Sequence, residues 1–179
     1  MTKSSSGLPG LRGTDHIGFT VPNLEQAVEF FVDVIGCEPF YELGPFEGSE
    51  WMETTLGVDK RTVMKKLKFL RCKNGSNFEL FEYSARDQNP GQPKNSDIGG
   101  HHLALYVDDF DVALDYLKMK GVEIMGEPVV RTSGPSGGQT WVYFKSPWGM
   151  QLELVSFPDG KHYEADYEHQ LWHPAFPNK

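Results

Sequence analysis

Four side chains of two chemical types recur in matched pairs. His16 stands in Asp15-His16-Ile17-Gly18-Phe19-Thr20-Val21, and His102 in His101-His102-Leu103-Ala104-Leu105-Tyr106-Val107. Glu79 and Glu153 each follow a turn glycine, Gly75 and Gly149, by four residues, and each precedes a leucine, Leu80 and Leu154. The histidines lie 102 − 16 = 86 residues apart and the glutamates 153 − 79 = 74. Imidazole nitrogen with carboxylate oxygen suits Mn, Fe, Co, Ni or Zn, whereas calcium takes more oxygens and structural zinc prefers thiolates. Four protein donors leave two positions of an octahedron open, and neighbouring oxygens of one substrate can fill them. Taken singly, a histidine heading a strand is usually a surface hydrogen-bonding residue and a strand glutamate is usually solvated. Recurrence of both types at matched positions favours His16, Glu79, His102 and Glu153 as one divalent-metal site.

The flanking elements explain how these residues could meet. Ile17, Phe19 and Val21 alternate with His16, Gly18 and Thr20, as on a strand with one face packed. The helix that follows repeats in phase, Leu24, Ala27, Val28 and Phe31 answering to Phe110, Ala113, Leu114 and Leu117. Asn23 and Asp109 are N-cap residues, and Gly36 and Gly121 end the two helices. Val63 to Cys72 and Asn77 to Tyr83 form a hairpin about Asn74-Gly75; Thr140 to Lys145 and Met150 to Phe157 form its counterpart about Ser146 to Gly149. A weakly patterned connection, 37–62, has a short helix near Trp51, Met52 and Leu56, and such length suggests a lid or an edge of the site. Val122 to Val130 is a strand interrupted by Gly126 and Pro128. Residues 84–98 read as the linker between repeats. Each repeat has an apolar face that only the other can cover. A pseudo-twofold pairing then aims all four donors into one concave sheet, on the face away from the helices.

With 179 residues, 39% hydrophobic and 23% charged, the chain suits one globular domain. Its boundaries are a flexible arm at 1–12, a domain at 13–157 (module one 13–88, module two 97–157) and an aromatic tail at 158–179. A net charge of 17 − 25 = −8 disfavours nucleic acid, despite the basic run Lys65, Lys66, Lys68 and Arg71. That run reads as an ordinary solvated strand face or, as the alternative, an anchor for an anionic substrate. No apolar run approaches a membrane span, and the first residues lack the apolar centre of a signal peptide. Cys37 and Cys72 form no metal spacing or disulfide framework, so a cytoplasmic location and a structural role are expected. Phe81, Tyr106, Trp141 and Tyr143 are candidates to line the substrate pocket, although core packing accounts for strand aromatics equally well. His101 is turned away by strand alternation, and His162, His169 and His173 read as surface residues. The tail, with Tyr163, Tyr167, Trp172 and Phe176, is too aromatic to stay solvated; it is expected to dock on the body or on a second subunit, as in a homodimer.

These segments, with Val107-Asp108-Asp109 and Phe144-Lys145-Ser146-Pro147-Trp148-Gly149, resemble the vicinal oxygen chelate family over about residues 13–157. That family includes glyoxalase I, methylmalonyl-CoA epimerase, bleomycin-resistance proteins and extradiol dioxygenases. The resemblance implies an α+β fold of two paired βαβββ modules, a cupped mixed or antiparallel sheet with the helices on its outer face. It also implies one divalent cation (Mn, Co, Ni, Zn or Fe) on His16, Glu79, His102 and Glu153. A four-donor set favours an epimerase or isomerase that abstracts a proton beside a carbonyl of a small ketone or acyl thioester. By analogy with epimerases and glyoxalases, Glu153 is the base and Glu79 serves opposite it. A glyoxalase I-type lyase, an extradiol-type dioxygenase and a non-catalytic resistance-type binding protein are the alternatives.

Overall fold

The computed structural model describes residues 7–177. Residues 1–6 of the expected arm and 178–179 of the tail lie outside the described residues. Module one contains β1 (His16–Thr20), α1 (Leu24–Glu29), β2 (Glu38–Leu43), β3 (Val63–Arg71) and β4 (Asn77–Ser84). Module two repeats the order with β5 (Leu103–Tyr106), α2 (Phe110–Met119), β6 (Ile124–Val130), β7 (Thr140–Lys145) and β8 (Gln151–Ser156). The fold is α+β. Each module forms a four-stranded mixed sheet, in the orders β1-β4-β3-β2 and β5-β8-β7-β6, whose first strand runs parallel to its neighbour while the others are antiparallel.

Both helices begin where their cap residues dictate. Asn23 is extended and its Oδ1 accepts the Gln26 N–H at 2.8 Å; Asp109 Oδ1 accepts the Val112 N–H at 3.0 Å. Helix α1 has an additional tie, because the Leu24 N–H donates to Glu82 Oε2 on β4 at 2.8 Å. It widens into π-type turns over Phe30–Ile35 and stops at Gly36, whose φ of 86° only glycine adopts freely.

Alternation on the strands sorts two faces. Phe78, Leu80, Phe144, Leu152 and Leu154 turn toward the helices and join Phe30, Phe31, Phe110, Leu114 and Leu117 in one core that spans both modules. Trp148, in the β7–β8 turn, packs edge-on against Phe30 at 5.7 Å and touches Phe31, locking module two onto α1. Glu79 and Glu153, between the core residues in sequence, face the other way. On that inner face a second cluster, Met52, Met64 and Leu67 with Val58, Phe69, Phe81 and Tyr83, places the 44–62 connection over module one.

Three local expectations change. The β3–β4 loop closes with the Gly75 N–H donating to the Cys72 carbonyl, and its left-handed residue is Lys73 (φ 50°), so the turn is longer than a two-residue Asn-Gly hairpin. Strand β2, within the weakly patterned 37–62 connection, pairs with β3 despite Pro39 because it is an edge strand and a register shift separates Pro39 from Glu42. The concave surface is made of two sheets, β1 and β5 each being the outermost strand of its own.

Candidate active site

The two sheets position the four donors by the same register. In module one Gly18 pairs with Glu79, and His16 lies two residues before Gly18 on the same face of β1. In module two Ala104 pairs with Glu153, and His102 lies two residues before Ala104. Gly18 lies close under its neighbours: a Cβ there would stand 3.2 Å from the Phe81 ring and 3.5 Å from Glu79 Oε2. The result is two matched pairs. His16 Nε2 lies 3.2 Å from Glu79 Oε2, and His102 Nε2 lies 3.1 Å from Glu153 Oε2. Each imidazole meets an aromatic ring edge-on, Phe69 at 5.5 Å for His16 and Tyr143 at 5.2 Å for His102. The offset 143 − 69 = 74 equals that of the glutamates.

The environments of the pairs differ. Asp15 Oδ2 lies 2.8 Å from His16 Nδ1. That hydrogen bond raises the imidazole's pKa, with help from Glu79 and against burial. It presents Nε2 toward Glu79, the arrangement by which a carboxylate orients a ligating histidine. Module two has His101 at the place of Asp15, and its Nδ1 meets the Gly99 carbonyl instead. Burial pushes the Glu153 carboxyl above its ordinary value, against the opposing influence of His102 and Lys161. Burial and the neighbouring Glu153 likewise raise the Tyr143 hydroxyl. Glu153 is only 9% exposed. A raised carboxyl beside an imidazole is a stronger base than a solvated one, once ionised.

Within this one chain the pairs remain two half-sites: among the described residues no group of three or more His, Cys, Asp or Glu side chains is placed to hold a metal ion. Of the expected pocket aromatics, Tyr143 flanks His102 and Trp141 packs on Tyr143 at 4.9 Å. Phe81 stacks on Tyr83 within the module-one inner cluster. Tyr106 stands farther along β5, edge-on to Phe157 and His173. His173, expected at the surface, thus packs into an aromatic group that fixes the tail across the end of module two. The lysines of the basic run lie beside acids, Lys65 pairing with Glu82 at 2.9 Å and Lys66 and Lys68 lying 3.6 and 3.9 Å from Glu42, while Arg71 Nε donates to the Lys73 carbonyl at 3.1 Å. Among the described residues no helix is long and apolar enough to cross a membrane.

Three neighbours of the site were not evident as site residues in the sequence. Asp15 could have been found from its place beside His16, and Phe69 from the 74-residue offset to Tyr143. Lys161, whose charge favours ionised Glu153, carries no sequence signal, because it sits in the tail beyond the repeat.

Known proteins similar to this chain give the context. A family model described as the Glyoxalase/Bleomycin resistance protein/Dioxygenase superfamily matches residues 15–144. A 2-epi-5-epi-valiolone epimerase from Actinomyces sp is 47% identical over 169 residues, spanning 94% of this chain and 92% of that protein. Among solved structures, a glyoxalase family protein from Bacillus cereus superposes with a TM-score of 0.64 at 21% identity, covering 87% of this chain and 97% of the other. A fosfomycin resistance protein from Listeria monocytogenes does so with 0.56 at 18%, covering 86% and 98%. The two structures share the fold, while the epimerase shares nearly half of the residues. The chain therefore belongs to the glyoxalase/bleomycin resistance protein/dioxygenase superfamily, and it is an enzyme of the epimerase or isomerase class within it.

Proposed function

We propose that the protein epimerises a small polyhydroxylated cyclic ketone, and that the His16–Glu79 and His102–Glu153 half-sites, brought together between two copies of the chain, hold one divalent cation for that reaction. The observation that carries the reading is the duplicated pair: two imidazole Nε2 atoms, each within 3.2 Å of a carboxylate oxygen, at equivalent points of two related sheets. The donor set fits such an ion. It offers two nitrogens and two anionic oxygens, and His16 already has a carboxylate on its far nitrogen. When bound, the ion polarises the ketone and stabilises negative charge developing on oxygen. The substrate class rests on the 47% identical relative, whose name specifies a valiolone.

The residues divide the remaining work. Glu153, with its carboxyl raised by burial, takes the proton from the carbon next to the ketone. The C–H electron pair moves into the ring as the carbonyl oxygen gains charge, giving a planar enediolate. Glu79, from the other half-site, returns a proton from the opposite face, which inverts the centre. Phe69 and Tyr143 wall the imidazoles. The 44–62 connection over module one and the tail over module two limit water, so the enediolate is protected from uncontrolled reprotonation.

The experiment strips the protein with a chelator, restores Mn, Fe, Co, Ni or Zn separately, and follows solvent deuterium into 2-epi-5-epi-valiolone. Metal-dependent incorporation with inversion, lost in Glu153→Gln, is the expected result. Oxygen consumption with iron, or tight binding of the ketone without exchange, would overturn the proposal.

A further inference from the structure

Cys37 and Cys72 meet at the open end of the β2–β3 ladder, a juxtaposition that the packing role expected of them does not require. Glu38 pairs with Arg71 and Pro39 with Leu70, and each cysteine stands one residue past its strand end, so the same register sets Cys37 opposite Cys72. Opposed pairs in an antiparallel ladder alternate between hydrogen-bonded and non-bonded, and Pro39 has no N–H to exchange with Leu70. The Pro39 pair is therefore non-bonded, the Glu38 pair bonded, and the cysteine pair again non-bonded. The backbone agrees: the Cys37 N–H donates to the Phe31 carbonyl at 2.8 Å, and the Cys72 carbonyl accepts the Gly75 N–H at 2.8 Å. Non-bonded pairs bring opposed Cα atoms to about 4.5 Å, inside the roughly 4.4–6.8 Å that a disulfide spans. Both side chains also share a face, since Cys37 belongs to the common core and Cys72 packs against it.

The two thiols are not equivalent. Cys37 is buried, whereas Cys72 is partly exposed and borders an apolar cleft of about 700 Å³ walled in part by Lys73, Tyr106 and Trp172. The Lys73 side chain turns back over the pair, its Nζ coming within 4.0 Å of where a Cβ on Gly36, the neighbour of Cys37, would stand. Arg71 Nε fixes that turn through the Lys73 carbonyl at 3.1 Å. The Cys37 thiol donates to the Cys72 sulfur, and this bond, with the Lys73 charge and against burial, holds Cys72 below the ordinary thiol pKa; the same bond and burial raise Cys37. The thiolate is the reactive form, so Cys72 is the nucleophile of the pair.

We infer that Cys37 and Cys72 form a peroxide-oxidised dithiol site, in which Cys72 is attacked first and Cys37 closes an intramolecular disulfide. The Cys72 thiolate takes one oxygen of hydrogen peroxide, the O–O bond breaks, and the departing hydroxide gains a proton to become water. Cys72 is then a sulfenic acid. The Cys37 sulfur attacks the Cys72 sulfur as its thiol proton is lost, the S–O bond breaks, and the leaving hydroxide accepts that proton as a second water. Two electrons pass from the sulfur pair to the peroxide, and an external dithiol returns them. The bond joins residues 72 − 37 = 35 apart and so ties together both ends of the segment that carries the 44–62 connection. It lies on the core face of the sheet, whereas His16 and Glu79 lie on the other, and the inference does not rest on the proposed epimerisation.

The test treats the full native chain with a small excess of hydrogen peroxide and maps its thiols by mass spectrometry without reductant. The expected product is a Cys37–Cys72 linkage within single chains, with the loss of two hydrogens, fully reversed by dithiothreitol. In Cys37→Ala, dimedone should trap a sulfenic acid at Cys72; in Cys72→Ala, Cys37 should react roughly tenfold more slowly. Linkage is expected to raise the melting temperature by about 5–10 °C, and reduction to reverse the rise. Two free thiols surviving in the treated native protein, a disulfide formed between chains, or oxidation of Cys72 past the sulfenic stage without a link overturns the inference. So does a fall in melting temperature on linkage, which would show that the bond forms only by pulling the strands out of register. Faster dimedone labelling of Cys37 than of Cys72 overturns the order of attack. Linkage and melting are read on the native protein, so the test stands even where an alanine variant fails to fold.

Discussion

The two modules present the same histidine–glutamate pair, with nearly the same separation, under different covers. In module one the lid is an internal connection whose Met52 joins Met64, Leu67 and Phe81 in a small apolar cluster. In module two it is a tail, held by backbone hydrogen bonds and by aromatic contacts with Tyr106 and Phe157. The comparison separates two sources of function. Strand register, which the repeat duplicates, produces the donor pairs; segments that the repeat does not share make one glutamate apolar-flanked and the other cation-flanked. An inversion of configuration needs two faces of a substrate to meet different groups, and in the proposed reaction the covers, rather than the duplicated strands, supply that difference.

The sharpest way to break that comparison is to remove one glutamate at a time. Glu153→Gln is expected to lower kcat by about 10²- to 10⁴-fold and to abolish deuterium uptake. Glu79→Gln should stop inversion while leaving some exchange on the starting epimer. Equal loss of exchange and inversion in both variants, read by mass spectrometry and chiral chromatography, would make the glutamates equivalent.

Stability separates the shared core from the covers. Phe144 is fully buried in the cluster common to both modules, so Phe144→Ala is expected to cost about 3–5 kcal/mol and to lower one cooperative transition for the whole chain. Met52→Ala empties only the module-one inner cluster and should cost about 2–3 kcal/mol. Two separate transitions in the Phe144→Ala melt would show that the modules do not share a core.

A smaller effect concerns the imidazoles. Asp15 orients His16, whereas its counterpart position holds His101. Asp15→Ala should weaken metal binding by about tenfold to a hundredfold, measured by competition with a chromogenic chelator, and His101→Ala should change it little. The reverse order would assign the orienting role to module two.

The smallest effect lies at the helix starts. Burial alone would raise the Glu82 carboxyl, but the Leu24 N–H and the Lys65 ammonium overcome it and hold the pKa below the ordinary carboxylate value. A depressed carboxyl stabilises the fold above its unfolded pKa, and that stabilisation is lost as pH falls through the folded value. Glu82→Gln should therefore destabilise the protein by on the order of 1 kcal/mol near neutral pH and flatten the acid limb of its melting curve. An unchanged acid limb would remove Glu82 as a contributor.

The residues themselves made much of this legible. Alternation around Ile17 and Leu103 marked the strands, helix caps at Asn23 and Asp109 marked the helices, and equal offsets marked the donor pairs, because each signal is local and periodic. Strand β2 was hidden in the weakly patterned 37–62 connection because it is an exposed edge whose six residues show no buried alternation. Tyr106 illustrates a different limit. Its alternation placed it correctly on the inner face, but the tail occupies its ring, and no pattern within β5 indicates a contact with His173 sixty-seven residues later (173 − 106).

What the sequence determined by itself was the duplication: which residue types recur, on which face of which strand, and hence the kind of chemistry they support. Only the tertiary structure decided how unequal the halves are. The apolar lid over Glu79 and the tail over module two both depend on chain segments distant in sequence or outside the repeat. Their placement is set by packing and by backbone hydrogen bonds to loops, and such contacts leave no periodic trace along the chain.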